Sequence, residues 1–248
     1  MLVSIIIPCF NEEAAITPLF AALDRLASLA SPSDSLEVLC VDDGSVDRTR
    51  VGLLAAREGR PYDVRVLGWL QNRGIGAAIR EGLCHAQGDV VVTYDADLAY
   101  PIEDVLKLVA RVMVGADVVT ASPWHGEGGK DRVPFHRSLL SKGASLAYRL
   151  RFGRSAAGIR TFTCGFRAYR REVLPGILPN RTDFVSTAEI LVRALGRRLH
   201  VEEVPSVLLG RETGKSKMRI LRTMFHHLRL LLLPGAIRPH EADVHLLR

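Results

Sequence analysis

The chain has 248 residues, 48% of them hydrophobic, and a mean hydropathy of +0.13, which supplies a large core and excludes a disordered chain. Its formal net charge of +6 is local, because seven basic residues and one acid lie between Arg211 and Arg238. The chain passes from Met1 directly into a strand pattern, which predicts no signal peptide and a cytoplasmic location. Four cysteines have no zinc-binding spacing and are predicted to be small buried side chains: Cys9, Cys40, Cys84 and Cys164.

Apolar runs alternate with helical patterns through the first half of the chain. Strands are predicted at 2–7, 36–41, 64–70, 89–94 and 117–122. Helices are predicted at 16–30, near 46–57, after Gly74 and near 101–114. Alternation at this spacing is typical of βαβ units. The predicted fold class is therefore α/β, with a mostly parallel central sheet flanked by helices on both faces.

The second half is less regular. It predicts a glycine-rich loop at 125–132, a helix at 136–152, a strand near 164–169, a helix at 184–195 and a strand pair near 199–209. The loop, HGEGGKDR, suits either an ordinary mobile surface loop or a lid that orders over a substrate. We predict a single domain over 1–217, with halves at 1–122 and 123–217, followed by a basic tail at 218–248.

Polar residues follow the first four predicted strands, at the ends that meet along one edge of a parallel sheet. Carboxylates gathered there repel one another unless a cation or hydrogen-bond donors compensate them. A divalent cation bridging a diphosphate meets that need, since Mg²⁺ and Mn²⁺ prefer oxygen ligands. Asp95 and Asp97, directly after the strand VVVTY, are the predicted metal ligands.

Other interpretations of these motifs stay open. A lone Asp-x-Asp also occurs in ordinary loops. The stretch Asp42-Asp43-Gly44-Ser45 also suits a turn followed by a helix N-cap at Ser45. Gly74-Ile75-Gly76 carries Ile79 where a dinucleotide fingerprint requires its third glycine, which argues against a Rossmann dehydrogenase.

Several motifs together resemble one enzyme family. SIIIPCFNEE, VDDGSVDRT, NRGIGAAIREG and DADLAYP resemble the family 2 glycosyltransferases of GT-A fold. HRSLLSKGA, CGFRAYRREVL and EVPSVLLGRETGKSKM resemble the dolichyl/polyprenyl-phosphate hexosyltransferase branch of that family. The resemblance extends to about Met218.

The resemblance implies an inverting, Mg²⁺- or Mn²⁺-dependent transfer of mannose or glucose from GDP-mannose or a UDP-hexose to a polyprenyl or dolichyl phosphate. It assigns these residues to the nucleotide sugar: Pro8, Asn11, Glu12, Asp42 with its neighbour Asp43, and Ala96. It assigns Asp95 and Asp97 to the metal. It assigns Arg137, Ser141 and Lys217 to the acceptor phosphate, and Asp97, Arg137 and Arg211 to catalysis.

Three positions depart from the family pattern. Ala99 replaces a polar side chain near the metal, Pro123 replaces an arginine, and Thr161 replaces an aspartate. Two of them, Ala99 and Pro123, keep a third hypothesis open, namely a sugar-nucleotide-binding subunit without turnover.

The chemistry of the acceptor separates the two enzymatic hypotheses. A lipid phosphate is already anionic at neutral pH and needs no general base. A hydroxyl acceptor, as in a soluble family 2 transferase, would need one, and Asp183 and Glu189 are the candidates. Their alternative roles are a helix N-cap for Asp183 and a polar structural partner for Glu189.

The tail sequence KMRILRTMFHHLRLLLLPG predicts an amphipathic helix whose longest apolar run, 230–233, is too short to span a bilayer. It suits peripheral contact with the inner face of a membrane, or docking on the protein itself or on a second subunit. No nucleic-acid-binding motif accompanies the basic residues, so nucleic acid is not a predicted partner. The oligomeric state is left open.

Overall fold

The computed structural model describes residues 1–31, 33–131, 135–210 and 220–232, without the side chains of 135–137 and 220–221. The strands in these ranges are β1 (Leu2–Cys9), β2 (Ser35–Asp43), β3 (Asp63–Trp69), β4 (Val90–Thr93), β5 (Val118–Ser122), β6 (Gly129–Asp131), β7 (Arg167–Arg170), β8 (Val201–Pro205) and β9 (Val207–Leu209). The helices are α1 (Ile16–Leu29), α2 (Thr49–Ala56), α3 (Ile75–His85), α4 (Asp104–Met113), α5 (Phe135–Phe152), α6 (Leu174–Ile177), α7 (Ser186–Gly196) and α8 (Ile220–Leu232).

Seven strands form one sheet in the order β3-β2-β1-β4-β7-β5-β8, in which β7 runs antiparallel to both of its neighbours. Successive side chains of a strand point to opposite faces. In β1, Ile5 and Ile7 therefore join the core under α1, α2 and α4, whereas Ile6 joins the core under α3, α6 and α7. Burial on both faces explains why these strands are continuous apolar runs. The predicted α/β class and the five N-terminal strands are confirmed.

Both strands predicted near 199–209 are present, but the prediction that they form a pair is wrong. β8 joins the main sheet beside β5, and β9 instead pairs in parallel with β6. Ser206 links the two sheets, because its N–H donates to the Ser122 carbonyl at 3.3 Å and its carbonyl accepts from the Gly129 N–H at 3.2 Å. At Ser206, whose hydroxyl donates to the buried Asp104 at 2.5 Å, the chain leaves the main sheet. The predicted glycine-rich loop at 125–132 thus contains the short strand β6, with which β9 pairs.

The carboxyl ends of β1, β2, β3, β4 and β5 lie along one side of the sheet, called here the carboxyl edge. In the register of the sheet, Cys9 of β1 is level with Asp42 of β2, and Ile6 is level with Thr93 of β4. The pairing continues to Tyr94, whose N–H donates to the carbonyl of Ile6 at 2.9 Å. Asp42, Asp95 and Asp97 therefore lie at the same edge, as the sequence predicted.

Candidate active site at the carboxyl edge

The loops after β1 and β2 are joined by reciprocal hydrogen bonds. The Asn11 N–H donates to Ser45 Oγ at 2.9 Å, and the Val46 N–H donates to Asn11 Oδ1 at 2.8 Å. Asn11 has a positive φ of 51°, a conformation that asparagine tolerates better than most residues. The Glu12 N–H donates to Thr49 Oγ1 at 2.7 Å. Since α2 begins at Thr49, Ser45 is not its N-cap; its hydroxyl joins the two loops instead.

Asp42 is 1% exposed at the end of β2. Its Oδ1 accepts from the Ser45 N–H at 3.1 Å, and its Oδ2 lies 3.5 Å from an Arg50 guanidinium nitrogen. These contacts hold the carboxylate at the floor of the joined loops, beside Asn11. Pro8 lies one residue before the end of β1, within the same register.

Asp43 builds the loop that follows β3. One carboxylate oxygen accepts from Trp69 Nε1 at 2.8 Å and from the Arg73 N–H at 2.7 Å. The other accepts from Asn72 Nδ2 at 2.8 Å and from the Gly74 N–H at 2.9 Å. With four donors on a side chain that is 2% exposed, Asp43 determines the shape of the edge at β3. Sequence reasoning did not anticipate this role.

Asp95 and Asp97 form a tight turn directly after β4. The Leu98 N–H donates to the Asp95 carbonyl at 3.3 Å, and the Ala99 N–H donates to Asp97 Oδ1 at 3.2 Å. Both carboxylates are partly exposed, whereas Ala96 between them is 4% exposed and packs in the core. The turn therefore anchors through its central residue and presents the two carboxylates at the edge.

The donor set at this turn fits a divalent cation that is also held by phosphate. Within the described ranges, no three His, Cys, Asp or Glu side chains gather as a complete metal cage. Mg²⁺ is commonly held by one or two carboxylates together with substrate phosphates, and it retains several waters. Asp95 and Asp97 supply that number of hard oxygen ligands, so the residues present fit the predicted Mg²⁺ or Mn²⁺.

Beside this turn lies a set of hydroxyls. Gly165 is a neighbour of Asp95, since a Cβ added there would be in van der Waals contact with Asp95 Oδ1 at 3.5 Å. Two residues earlier, the Thr163 hydroxyl is 2.7 Å from Ser141 Oγ, which also accepts from Trp124 Nε1 at 3.4 Å. Ser141, a predicted acceptor residue, therefore contacts a residue that is two positions from the neighbour of Asp95. Trp124 and Thr163 were not anticipated, although each directly precedes or follows a motif noted in the sequence.

Three further predicted site residues cannot be placed in this geometry. Arg137 belongs to the first turn of α5, and its side chain lies outside the described part of the structure. Arg211 and Lys217 lie outside the described residues.

Glu189, a candidate general base for a hydroxyl acceptor, lies inside a buried polar network. It is 2% exposed, and its Oε1 accepts from Arg193 at 2.9 and 3.1 Å. Its Oε2 accepts from the backbone N–H groups of Asn180 and Arg181 at 3.0 and 2.8 Å. Both oxygens are therefore occupied, one by Arg193 within α7 and the other by the chain before that helix.

Asp183, the other candidate base, also has several partners. Its carboxylate accepts from the Val185 N–H at 2.9 Å and from Arg181 at 2.8 Å, and His226 Nδ1 of α8 lies 2.5 Å away. Burial acts to raise the pKa of Asp183, but the hydrogen bonds and positive charges around it outweigh burial and lower that pKa. A carboxylate with a lowered pKa is a weak base. α7 begins at Ser186, so Asp183 caps the turn that leads into the helix, through the Val185 N–H, and is not the residue directly before the helix.

Helix α8 docks on the body of the protein with one side and leaves apolar side chains exposed on the other. His227 Nδ1 lies 2.9 Å from the Tyr148 hydroxyl of α5, and Leu230 is 5% exposed in the core. The exposed apolar side chains of α8 are Met224, Phe225, Leu228 and Leu232. Within the described ranges, no helix combines the length and apolar character that crossing a bilayer requires.

The same fold is found in solved structures. Glucosyl-3-phosphoglycerate synthase from Mycobacterium tuberculosis, in complex with Mn²⁺, UDP and glucosyl-3-phosphoglycerate, superposes with a TM-score of 0.68. The match covers 97% of this chain and 81% of that one at 20% sequence identity, and it confirms the predicted GT-A fold. The sequence matches the model of glycosyl transferase family 2 over residues 4–178. The chain therefore belongs to family 2 of the glycosyltransferases, as the motifs predicted.

Two curated relatives are similar over most of this chain. Dolichol-phosphate mannosyltransferase from Pyrococcus furiosus is 34% identical over 229 residues, which are 92% of this chain and 62% of that protein. Undecaprenyl-phosphate 4-deoxy-4-formamido-L-arabinose transferase from Salmonella paratyphi A is 32% identical, over 95% of this chain and 71% of that one. This chain thus spans less than two thirds of the length of the first relative.

Proposed function

We propose that this protein transfers a hexose, with inversion, from a nucleotide sugar to a polyprenyl phosphate. The observation that carries the proposal is that hydroxyl donors lie near the Asp95 turn while both candidate general bases are already occupied. Hydroxyls of Ser141 and Thr163 adjoin the Asp95 turn, while the candidate bases Asp183 and Glu189 are bound in ion pairs. An acceptor that is already anionic needs hydrogen-bond donors and positioning but no base. Both curated relatives described above are named for transfer to a polyprenyl-type phosphate, which supports the same acceptor class.

The donor is proposed to lie across β1, β2 and β4. Asn11 and Asp42 are held in place by the joined loops and would contact the base and ribose, with Pro8 and Glu12 beside them. Asp95 and Asp97 would hold Mg²⁺ or Mn²⁺. When bound, such an ion neutralises charge on the departing diphosphate. The solved Mn²⁺ and UDP complex of a protein with the same fold supports a divalent cation.

The acceptor is proposed to enter from the side of α5, with Arg137 and Ser141 on its phosphate and Arg211 and Lys217 completing the site. Held behind the anomeric carbon, the phosphate oxygen attacks as the nucleoside diphosphate leaves from the opposite face, which inverts that centre. The rate then depends on alignment and on cations around the phosphates.

Contact with the inner face of a membrane is part of the proposal. The exposed side of α8 carries Phe225 and Leu228 together with Arg222 and Arg229, a combination suited to anionic headgroups and the acyl boundary below them. A polyprenyl phosphate is retained in a membrane, so this contact would bring the carboxyl edge to its acceptor.

The test is a matrix of donors and acceptors. GDP-mannose, UDP-glucose and other nucleotide sugars are incubated with a short polyprenyl phosphate and Mg²⁺ or Mn²⁺, and glycolipid is measured. The matched control is the corresponding polyprenol, which has the same chain and a terminal hydroxyl. Transfer to the phosphate alone supports the proposal. Transfer to the alcohol, or nucleotide-sugar binding without any product, would replace it by the hydroxyl-acceptor or binding-subunit hypothesis.

A further inference from the structure

Lys142 lies beside the hydroxyls that adjoin the Asp95 turn. Its ammonium is 4.6 Å from the ring centroid of Trp124, the distance of a cation–π contact. The indole N–H of the same tryptophan donates to Ser141 Oγ at 3.4 Å. One side chain therefore positions both a cation and a hydroxyl. We call Trp124, Ser141, Lys142 and Thr163 the Trp124 cluster.

The positive charge in this cluster has no anionic partner in the described part of the chain. Lys142 is exposed on α5, and no carboxylate of the described ranges forms an ion pair with it. A cation held over an aromatic face keeps its charge and its three N–H donors available on the opposite side. Ser141 and Thr163 add hydroxyl donors next to it.

The cluster lies close to the reacting edge. Thr163 and Gly165 are both partly exposed and are separated in the chain only by Cys164, which is buried. Their Cα atoms are at most about 7 Å apart. Gly165 in turn adjoins the Asp95 carboxylate. An anion on the cluster would therefore lie on the part of the protein that adjoins the proposed metal turn, within a few residues of Asp95.

We infer that Lys142, positioned by Trp124, binds the phosphate of the acceptor and makes the site selective for a phosphomonoester over an alcohol. The inference rests on the proposed function and gives a role to Lys142, a residue of the HRSLLSKGA motif to which the resemblance assigned none. A phosphomonoester carries between one and two negative charges at pH 7, so an ammonium and two hydroxyls match its charge and its acceptor oxygens. An alcohol gains nothing from the ammonium.

Trp124 itself reports on binding. The chain has two tryptophans, so the variant Trp69→Phe leaves Trp124 as the only indole. Its fluorescence is followed while a short prenyl phosphate, the matching prenol or inorganic phosphate is added. We expect a saturable change with the prenyl phosphate, weaker binding of inorganic phosphate and no response to the prenol. Isothermal titration of the chain with both tryptophans repeats the comparison independently of the Trp69 substitution.

Substitutions then assign the response to the side chain. Lys142→Gln should weaken prenyl phosphate binding about tenfold or more, and Lys142→Arg should restore most of it, because guanidinium also binds phosphate. Arg149→Gln, an exposed change on the same helix, is the matched control and should bind normally. In transfer assays Lys142→Gln should raise KM for the acceptor and leave KM for the donor unchanged.

The outcomes separate this inference from the proposed function. A wild-type chain that transfers hexose to the phosphate while Lys142→Gln binds it normally overturns the Lys142 assignment alone. Equal affinity for prenyl phosphate and inorganic phosphate also overturns it, because the site would then bind any free phosphate ion and would not be specific for the acceptor. Lys142-dependent binding of prenyl phosphate in a chain that forms no glycolipid supports the site and overturns the proposed transfer.

Discussion

Glu189 and Arg193 form an ion pair one helical turn apart in α7, with 2.9 Å between Oε1 and the guanidinium and side chains that are only 3% and 2% exposed. The second carboxylate oxygen of Glu189 holds the chain before the helix through two backbone N–H groups. A glutamate in this position can contribute to stability without touching a substrate.

Removal of this charge should therefore affect stability more than turnover. Glu189→Gln leaves Arg193 buried without its counter-ion, and we expect a loss of about 3 kcal/mol in the free energy of unfolding. Urea denaturation measures that loss. Transfer per folded molecule should stay within a few-fold of wild type at low temperature. A stable variant whose turnover has fallen a hundredfold would restore Glu189 as the general base and favour a hydroxyl acceptor.

Asp97 should behave in the opposite way. Asp97→Asn keeps the shape of the turn but removes a charge from the proposed metal ligands, so metal-dependent transfer should fall at least about 100-fold. The melting temperature should change little, because the carboxylate is partly exposed. Asp63→Asn is the control: this exposed residue begins β3, at the end of the strand away from the carboxyl edge, and the variant should keep full activity. Unchanged activity of Asp97→Asn would contradict the metal assignment.

Asp43 should affect donor binding through the loop it builds. Asp43→Asn replaces an acceptor of four hydrogen bonds with a group that presents its own N–H to those donors, at a cost of about 2 kcal/mol in stability. We expect KM for the nucleotide sugar to rise together with this loss. Trp69→Phe removes only one of the four donors and should show a smaller change of both quantities. A donor KM that rises with no loss of stability would indicate direct contact with the donor instead.

The docking of α8 should depend on pH. Burial lowers the pKa of His227 to about 4, and the neighbouring Asp183 opposes that shift only in part. Because the folded-state pKa lies below the unfolded value of about 6.5, the unfolded state binds more protons between these two values. The stability due to neutral His227 is thus complete above pH 6.5 and is lost as the pH falls towards 4.

Hydrogen exchange of 220–232, compared at pH 7 and pH 5, measures this effect. Protection of α8 should be weaker at pH 5. The lowered pKa of Asp183 keeps that carboxylate ionised over the same range, so its contact with His226 does not explain the loss. His227→Gln should remove most of the difference between the two pH values. An equal pH effect in that variant would place the titration elsewhere.

The exposed side of α8 should carry the membrane contact. Replacing both Phe225 and Leu228 by serine removes apolar side chains that are 63% and 52% exposed, so liposome binding should weaken at least about tenfold while the fold is kept. The control is the pair Met113→Ser and Val114→Ser, whose side chains are exposed to a comparable degree, 57% and 72%, at the end of α4. Flotation with anionic vesicles measures the fraction of each variant that binds, and it should fall for the α8 variant but not for the control. Equal binding by both variants would remove α8 from the interface.

The sequence by itself determined the order of strands and helices, the family, and the edge at which Asp42, Asp95 and Asp97 meet. Each of these depends on local information. Apolar runs with a fixed period define the elements, and parallel strands bring their carboxyl ends together whatever surrounds them.

Only the tertiary structure decided what the individual polar groups do. Asp43 finds its donors about 30 residues away, Ser141 meets Thr163 across 22 residues, and β9 pairs with β6 instead of β8. The sequence placed Glu189 equally well at an active site or in a buried network, because the backbone groups of Asn180 and Arg181 that bind it become neighbours of its side chain only on folding. Hydrogen bonds between distant segments leave no periodic pattern in the chain. Burial then makes them obligatory, since a polar group removed from water must find a partner inside the protein.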